Sequence, residues 1–530
     1  MRAPAVLALS LVLAGPAAAA SLGKRAQPSL PPLRESPYSL IGVDAAPSSL
    51  DTFALRAAGA RLISRPLGIW RIRSDVARRL VPGLRATGRL VAAEPDQRFH
   101  TFGHLTAGDP LIPQEWWIHD VGDDLVEPPA PGVPVTVIDT GLDMSHEEFA
   151  SRPNVTLLNP QVVANSEDVH GTAVSSVVGA PANGLGLVGV YPQAKLEEWD
   201  FGNATLGEVI AGFDAATKHG RTVINISGGF FGPSTLLERA VDRAVLHGAL
   251  VVAAVGNDRE NGNRAAYPAS LPHVLTVGAT DQQDKVTVFS SRSLALDLAA
   301  PGVAIPVAVP KFANATGYDT YDGTSFSSPL VAGAAAWVWT ERPNLTSGQL
   351  ADVMRASARD VGPTGWDADT GFGILDIPAA LRVAAPPVDP GEPNDDIFAV
   401  KPHGLRVAGS PPLTTGHSGY AAIRARMDQT KDPEDVYRIW LPAKRTVTVR
   451  VKADRNVDLA VWGPRTATVF ERGAAQRRDL LAFSTHPGTT VEKVVLKGRR
   501  AGNTFGYADV YLPQKVADAS YTITISTARR

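Results

Sequence analysis

Between about residues 111 and 385 the chain repeats one pattern: a short apolar run rich in valine and isoleucine, a glycine, serine or asparagine stop, and neighbouring helical spacing. VPVTVIDTG, TVINISGG, GALVVAAVGN and HVLTVGAT are the clearest runs. They are apolar at consecutive positions and not at every second one, so both faces of each strand must be covered. Alternation with helices predicts an α/β domain: a mostly parallel sheet flanked by helices. Ligands in such sheets gather at the carboxyl ends of the strands. The polar residues that close these runs therefore come first when chemistry is sought.

The pattern changes on either side. From Tyr38 to about Glu94, YSLIGVD and GIWRIRS read as strands, and SSLDTFALRAAGA and SDVARRLVPGL as helices. A β-α-β-α-β series in so few residues predicts a small α+β unit. Pro95 to Pro113 carries turn residues without a period and reads as a linker. AAPPVDPGEPNDD, Ala384 to Asp396, is a second linker, proline-rich and acidic. Beyond it DVYRIWLP, RTVTVRVKA, VDLAVWG, VEKVVLKG, GYADVYLP and SYTITIST alternate with turn residues, which predicts an all-β sandwich. The N-terminus has one positive charge at Arg2, an apolar stretch from Val6 to Ala14, and small residues with Ala18 and Ala20 in an A-x-A arrangement. That reads as a secretory signal cleaved near Ala20–Ser21, too short to span a bilayer. The expected organisation is a signal over 1–20, an α+β unit with its linker over 21–108, the α/β domain over 109–385, a linker over 386–396 and the β-sandwich over 397–530.

Composition narrows the partners. The 530 residues suffice for two or three domains. Lys and Arg number 51 against 53 Asp and Glu, a net charge of −2, which gives no reason to expect nucleic acid or an anionic surface. There is no cysteine, so disulfides, thiol chemistry and cysteine metal sites are excluded.

Four polar residues stand at strand ends or helix starts of the α/β domain. Asp139 closes VPVTVIDTG. His170 opens the small-residue stretch HGTAVSSVVGA. Asn257 ends GALVVAAVGN. Ser325, in YDGTSFSSPLVAG, precedes a small-residue helix in which Pro329 is tolerable near the start, and Thr324 reads as part of the turn. Each has an ordinary alternative: an Asx turn, a helix-cap histidine, a turn asparagine, an N-cap serine. Together they supply an acid, a base, an amide donor and a hydroxyl at one sheet edge, in the order Asp…His…Ser that subtilisin uses.

The words VIDTGLDMSHEEF, HGTAVSS, NISGG, AAVGND with YPAS following, LAAPGV and GTSFSSP resemble the subtilisin-like serine peptidases (peptidase S8 family), over roughly Asp109 to Ala385. The resemblance implies that family's parallel-sheet fold and endopeptidase activity. It implies Asp139, His170 and Ser325 as triad, Asn257 as oxyanion donor, and Ser227, Gly228 and Gly229 as the segment that pairs with substrate backbone. One departure is Ala173, where the family's word has a second histidine; that position is outside the triad. The Tyr38–Glu94 unit resembles the family's inhibitor-type propeptide, and the C-terminal β region resembles the pre-peptidase C-terminal domain. Partners implied are protein or peptide substrates and the chain's own propeptide as inhibitor, acting on a secreted monomer. Retention at the cell surface is left open by the β domain. No cofactor is needed for such chemistry, and no nucleic acid or dinucleotide is expected.

Three other motifs fail on context. GLGLVG, Gly184 to Gly189, follows a helical pattern where a dinucleotide site needs a strand. HEEFA has Ala150 where a zinc helix needs histidine or its spacing. GHSGY at Gly416 has its second glycine one place early for a nucleophile elbow. Glu148 stands where relatives place an acidic calcium ligand, and structural calcium would suit a disulfide-free exported fold; a solvated charge is the plainer reading of that single carboxylate.

Overall fold

The computed structural model describes residues 38–43, 49–64, 68–87, 89–95, 108–150, 152–202, 204–497 and 503–529. The expected secretory leader lies outside the described residues, as does most of the first linker. Two compact units divide the chain near residue 101.

The first unit contains β1 (Tyr38–Val43), α1 (Ser49–Ala57), β2 (Arg61–Ser64), β3 (Ile69–Arg73), α2 (Ser74–Ala86) and β4 (Leu90–Pro95). Its sheet has the order β2-β3-β1-β4 and is antiparallel throughout. Ile41, Leu55, Trp70, Ile72 and Ala77 form its core. The sequence pattern anticipated one strand fewer. The missed strand, RLIS, is a four-residue edge strand with polar ends, too short to show a period.

The second unit opens with a single helical turn, α3 (Trp117–Asp120), and continues through β5 (Val135–Asp139), β6 (Val155–Leu157), α4 (Val169–Gly179), β7 (Leu196–Asp200), α5 (Leu206–Ala216), β8 (Val223–Ile226), β9 (Phe230–Phe231), α6 (Thr235–Leu246), β10 (Leu250–Ala254), β11 (Ala266–Tyr267), β12 (Val274–Thr280) and β13 (Leu298–Pro301). A seven-stranded sheet runs β13-β12-β10-β8-β5-β7-β6, and every pair in it is parallel. The four strands foreseen from valine-rich runs are at its centre, and β5, β8, β10 and β12 are buried at every position. A short antiparallel pair, β14 (Ile305–Ala308) and β15 (Tyr318–Tyr321), leads into α7 (Thr324–Glu341), followed by α8 (Ser347–Ser357).

Helix α7 explains why the sequence after Ser325 is so small. Phe326 to Trp339 are all buried, because the helix runs through the core between the sheet and α4. A Cβ on Gly333 would stand 2.4 Å from Val190 Cγ1 and 3.1 Å from the Val178 carbonyl, so only glycine permits that approach.

The C-terminal region forms two four-stranded antiparallel sheets. One runs β16 (Tyr420–Asp428), β23 (Asp518–Arg529), β18 (Arg445–Ala453), β21 (Glu492–Lys497); the other runs β17 (Glu434–Leu441), β22 (Thr504–Tyr511), β19 (Asp458–Trp462), β20 (Leu480–Ser484). Val447, Val449 and Ile523 from one sheet pack with Ile439, Leu459 and Val510 from the other, the arrangement of a β-sandwich.

Candidate active site

Asp139 is the last residue of β5, and His170 is the second residue of α4. Gly171 brings them together. A Cβ there would meet the Gly141 carbonyl at 2.3 Å, so the helix start lies directly on the turn that follows β5. The Gly171 N–H donates to Thr140 Oγ1 at 2.8 Å, which ties helix to turn. With that approach fixed, His170 Nδ1 sits 2.8 Å from Asp139 Oδ1. The same carboxylate oxygen accepts the Thr140 N–H at 2.8 Å.

Solvent access differs between the two. The Asp139 side chain is 3% exposed, whereas the His170 side chain is 37% exposed. Burial lowers the affinity of the His170 ring for a proton, but the charge and hydrogen bond of Asp139 outweigh it, and the imidazole is held above its ordinary pKa. Below the site, burial pushes the Glu198 carboxyl well above the usual range. It accepts the Ser175 hydroxyl at 2.7 Å.

Ser325 is the second residue of α7, half-buried, and Thr324, expected in the turn, is the first helical residue. Its neighbour Phe326 places its ring 6.0 Å from the His170 ring. In this rotamer the Ser325 hydroxyl donates to the Ser227 carbonyl at 2.9 Å. The Ser227 hydroxyl returns a bond to the Ser325 carbonyl at 2.8 Å. That carbonyl is available because Pro329, four residues on, has no N–H to give it. Pro329 is thus not at the helix start, where a missing N–H costs little, but at the sixth helical position.

Asn257 follows β10. Its Oδ1 accepts both the Thr324 N–H at 3.0 Å and the Thr324 hydroxyl at 2.8 Å. This fixes the amide orientation and leaves the Nδ2 hydrogens of an exposed side chain without an acceptor among the described residues. The Ser325 N–H lies in the first turn of α7, where N–H groups lack intrahelical partners. Gly228 and Gly229 are exposed just past β8, and a Cβ on Gly229 would press on the Tyr267 carbonyl at 2.8 Å. Ser227 itself is buried and bonded to Ser325.

One residue beneath this edge, Asn225, escaped the sequence reading. Asn225, on β8, accepts the Ser328 hydroxyl at 2.7 Å and donates to Ser227 Oγ at 3.0 Å. Ser327 donates to the Pro301 carbonyl at 3.0 Å. Ser327 and Ser328 are therefore cross-links from α7 to the sheet as well as small packing residues. The available signal was the polar residue inside the apolar run TVINISGG.

A family model for the subtilase family matches residues 130–373. Subtilisin DY from Bacillus licheniformis is 34% identical over 256 residues, which cover 47% of this chain and 91% of that protein. The chain belongs to the subtilase family of serine endopeptidases. Fervidolysin from Fervidobacterium pennivorans is a further similar subtilase, 31% identical over 342 residues. That match takes in 58% of this chain and only 46% of fervidolysin, so the chain spans about half that relative's length. The crystal structure of fervidolysin, described as a keratinolytic enzyme related to subtilisin, superposes over 89% of this chain and 86% of its own, with a TM-score of 0.49 and 20% identity.

The other motifs of this subtilase resolve differently. The Gly184–Gly189 loop follows α4, not a strand, and opens no helix. His146 of HEEFA is buried, with Nε2 2.7 Å from the Gly317 carbonyl. Glu148 is not a solvated charge but 2% exposed. Its carboxylate accepts the Leu187 N–H at 3.2 Å, the Tyr318 hydroxyl at 3.0 Å and the Asn183 amide at 3.3 Å. Three hydrogen-bond donors directed at one carboxylate are the wrong surroundings for a cation, so Glu148 as arranged does not fit a calcium ligand.

Proposed function

We propose that the chain is a secreted serine endopeptidase that cleaves peptide bonds through an acyl-enzyme. In this reading Ser325 Oγ attacks the scissile carbonyl. His170 takes the proton through Nε2 and later passes it to the leaving amine. Asp139, on Nδ1, holds the imidazole tautomer and stabilises its positive charge. The Asn257 amide and the Ser325 N–H receive the oxyanion. Water then releases the acyl group by the same route. The observation that carries the reading is the 2.8 Å contact of a buried Asp139 with a partly exposed His170. In this reading the Ser325 hydroxyl leaves the Ser227 carbonyl to engage His170.

Gly228 and Gly229 would pair with an extended substrate backbone, which gives affinity with little demand on sequence. We read residues 1–20 as an export signal, the first unit as an inhibitory propeptide, and the chain as a monomer. Among the described residues no helix is long and apolar enough to cross a membrane. No cofactor enters the chemistry. A silent scaffold built on the same fold is not favoured, since each residue type the reaction needs is present.

The test is the purified chain against its Ser325→Ala variant. The wild type should hydrolyse a protein substrate and gain covalent mass on Ser325 from a sulfonyl fluoride. Hydrolysis that survives in the Ala variant would sink the assignment.

A further inference from the structure

One face of the β17-β22-β19-β20 sheet gathers two acids among aromatic rings. Strand pairing puts Glu434 opposite Tyr511, and Asp509 lies two residues before Tyr511 on the same face. These side chains line a cavity of about 370 Å³ together with Trp462, Phe470 and Phe483. Asp509 is 3% exposed. Trp462 Nε1 donates to its Oδ2 at 2.9 Å, but its Oδ1 is buried without a hydrogen-bond donor. The group against it is the Glu434 carboxyl, an acceptor facing an acceptor. The one cation lining the cavity among the described residues, Arg472, donates instead to the Glu471 carbonyl at 3.0 Å. A buried carboxylate without a counter-charge is costly. The pair eases that cost by keeping one proton: burial pushes Asp509 up to about 6, and burial together with the Asp509 charge pushes Glu434 up to about 10. At neutral pH one negative charge is left without a partner.

We propose that this cavity binds an alkylammonium group, the side chain of a lysine on another protein. Asp509 is buried while Phe470 and Phe483 are 51% and 64% exposed, so the acid lies at the floor and the two rings at the mouth. A lysine matches that gradient. Its methylene stem packs along the rings, and its ammonium brings three donors and one positive charge to the acids. The aromatic faces add their own attraction for a cation. A hard divalent metal ion matches poorly, because two carboxyls that share one proton offer too few oxygen ligands. A sugar would find rings to pack on, but it would leave the charge of Asp509 unbalanced. The β-sandwich thereby gains a contact for proteins that carry exposed lysines. This site is independent of the peptidase reading.

The experiment uses the full chain carrying Ser325→Ala, so that no probe is hydrolysed. Nα-acetyl-lysine methylamide, titrated by ligand-observed nuclear magnetic resonance, should bind at least tenfold more tightly than its Nε-acetylated form, which keeps the stem and lacks the charge. Asp509→Asn, with unchanged circular dichroism, should weaken the lysine probe by at least tenfold, which also separates this cavity from the substrate cleft. Equal binding of the two probes, or equal binding in the Asp509→Asn protein, would overturn the proposal. Binding of methyl glucoside in place of the lysine probe would make the cavity a sugar site, and binding of n-butylammonium without the lysine probe would rule out a protein lysine as the source. Should Asp509→Asn not fold, Phe483→Ala decides, since that side chain is 64% exposed: it should weaken the lysine probe about threefold, and unchanged binding refutes the proposal.

Discussion

Ser227 and Ser325 hold each other by two reciprocal hydrogen bonds, hydroxyl to carbonyl in each direction, at 2.8 and 2.9 Å. The bond from the Ser227 hydroxyl finds its acceptor free because Pro329 withholds the N–H that would otherwise occupy the Ser325 carbonyl. A helix defect is thereby turned into a fastening between α7 and the end of β8. Ser227→Ala removes the donor and should cost about 1 kcal/mol, the usual worth of such a bond. In a Pro329→Ala background the new N–H can reach the Ser325 carbonyl, and the same change should cost less. Urea unfolding of the four proteins in the cycle measures the coupling. Equal costs in both backgrounds would show that the proline and the serine are unrelated.

The His170 imidazole is raised above its ordinary 6.5 by Asp139. Since the ring must be neutral to accept the Ser325 proton, the acid limb of kcat/KM should lie above pH 6.5. Asp139→Asn should move that limb to lower pH and reduce kcat by about 10⁴. For stability the sign is opposite to the usual carboxylate case. A raised histidine contributes stability fully below its unfolded value of about 6.5, and the contribution is lost as pH rises through the folded value. Nuclear magnetic resonance titration of the ring in the Ser325→Ala protein reads the shift directly. An unshifted ring would remove Asp139 from its role.

The four edge residues were legible because each closes or opens an element whose type the hydrophobic pattern declares. Asp139 ends one valine-rich strand and Asn257 lies three residues past another, while His170 and Ser325 are the second residues of small-residue helices. Their supports were not legible, because they depend on distant pairing. Asn225 meets Ser328 across 103 positions, and a buried asparagine in a strand carries no mark of its partner. Strand β7 was missed for a related reason. LEEWD looks polar, yet Glu198 is buried and hydrogen-bonded to Ser175, so a carboxyl group stands where the pattern expects an apolar residue. Glu148 misled in the same way: one charge in a row of charges reads as solvated until the fold closes over it.

That burial has a measurable consequence. Burial raises the Glu148 carboxyl from 4.5 to about 7, against the hydrogen bonds of Leu187 and Tyr318. Between those values the unfolded chain releases the proton while the folded protein keeps it. Folding stability should therefore fall as pH rises from 4.5 toward 7, by about 3 kcal/mol in total at 1.36 kcal/mol per unit. Glu148→Gln keeps the shape and cannot ionise. The difference between the two unfolding free energies should grow across that pH range in favour of the variant. A difference that stays flat from pH 4.5 to 7 would mean that Glu148 is already ionised in the folded protein.

Lys431 anchors the β-sandwich in the α/β domain. Its side chain is 4% exposed, and its ammonium reaches Asp297 at 2.9 Å, the Val274 carbonyl at 2.7 Å and the Thr276 hydroxyl at 3.0 Å. A buried lysine with three oxygen partners in another domain is costly to withdraw, since Asp297 would lose one of its two counter-charges. Asp297 retains Arg355 at 2.8 Å, so the loss should fall at the lower end for a broken buried pair, about 3 kcal/mol for Lys431→Met. The damage should be local to the junction. Limited proteolysis should then cut the 386–396 linker faster in the variant than in the wild type, while the α/β domain stays resistant. Unchanged linker cleavage together with unchanged unfolding would show that the sandwich is held by other contacts.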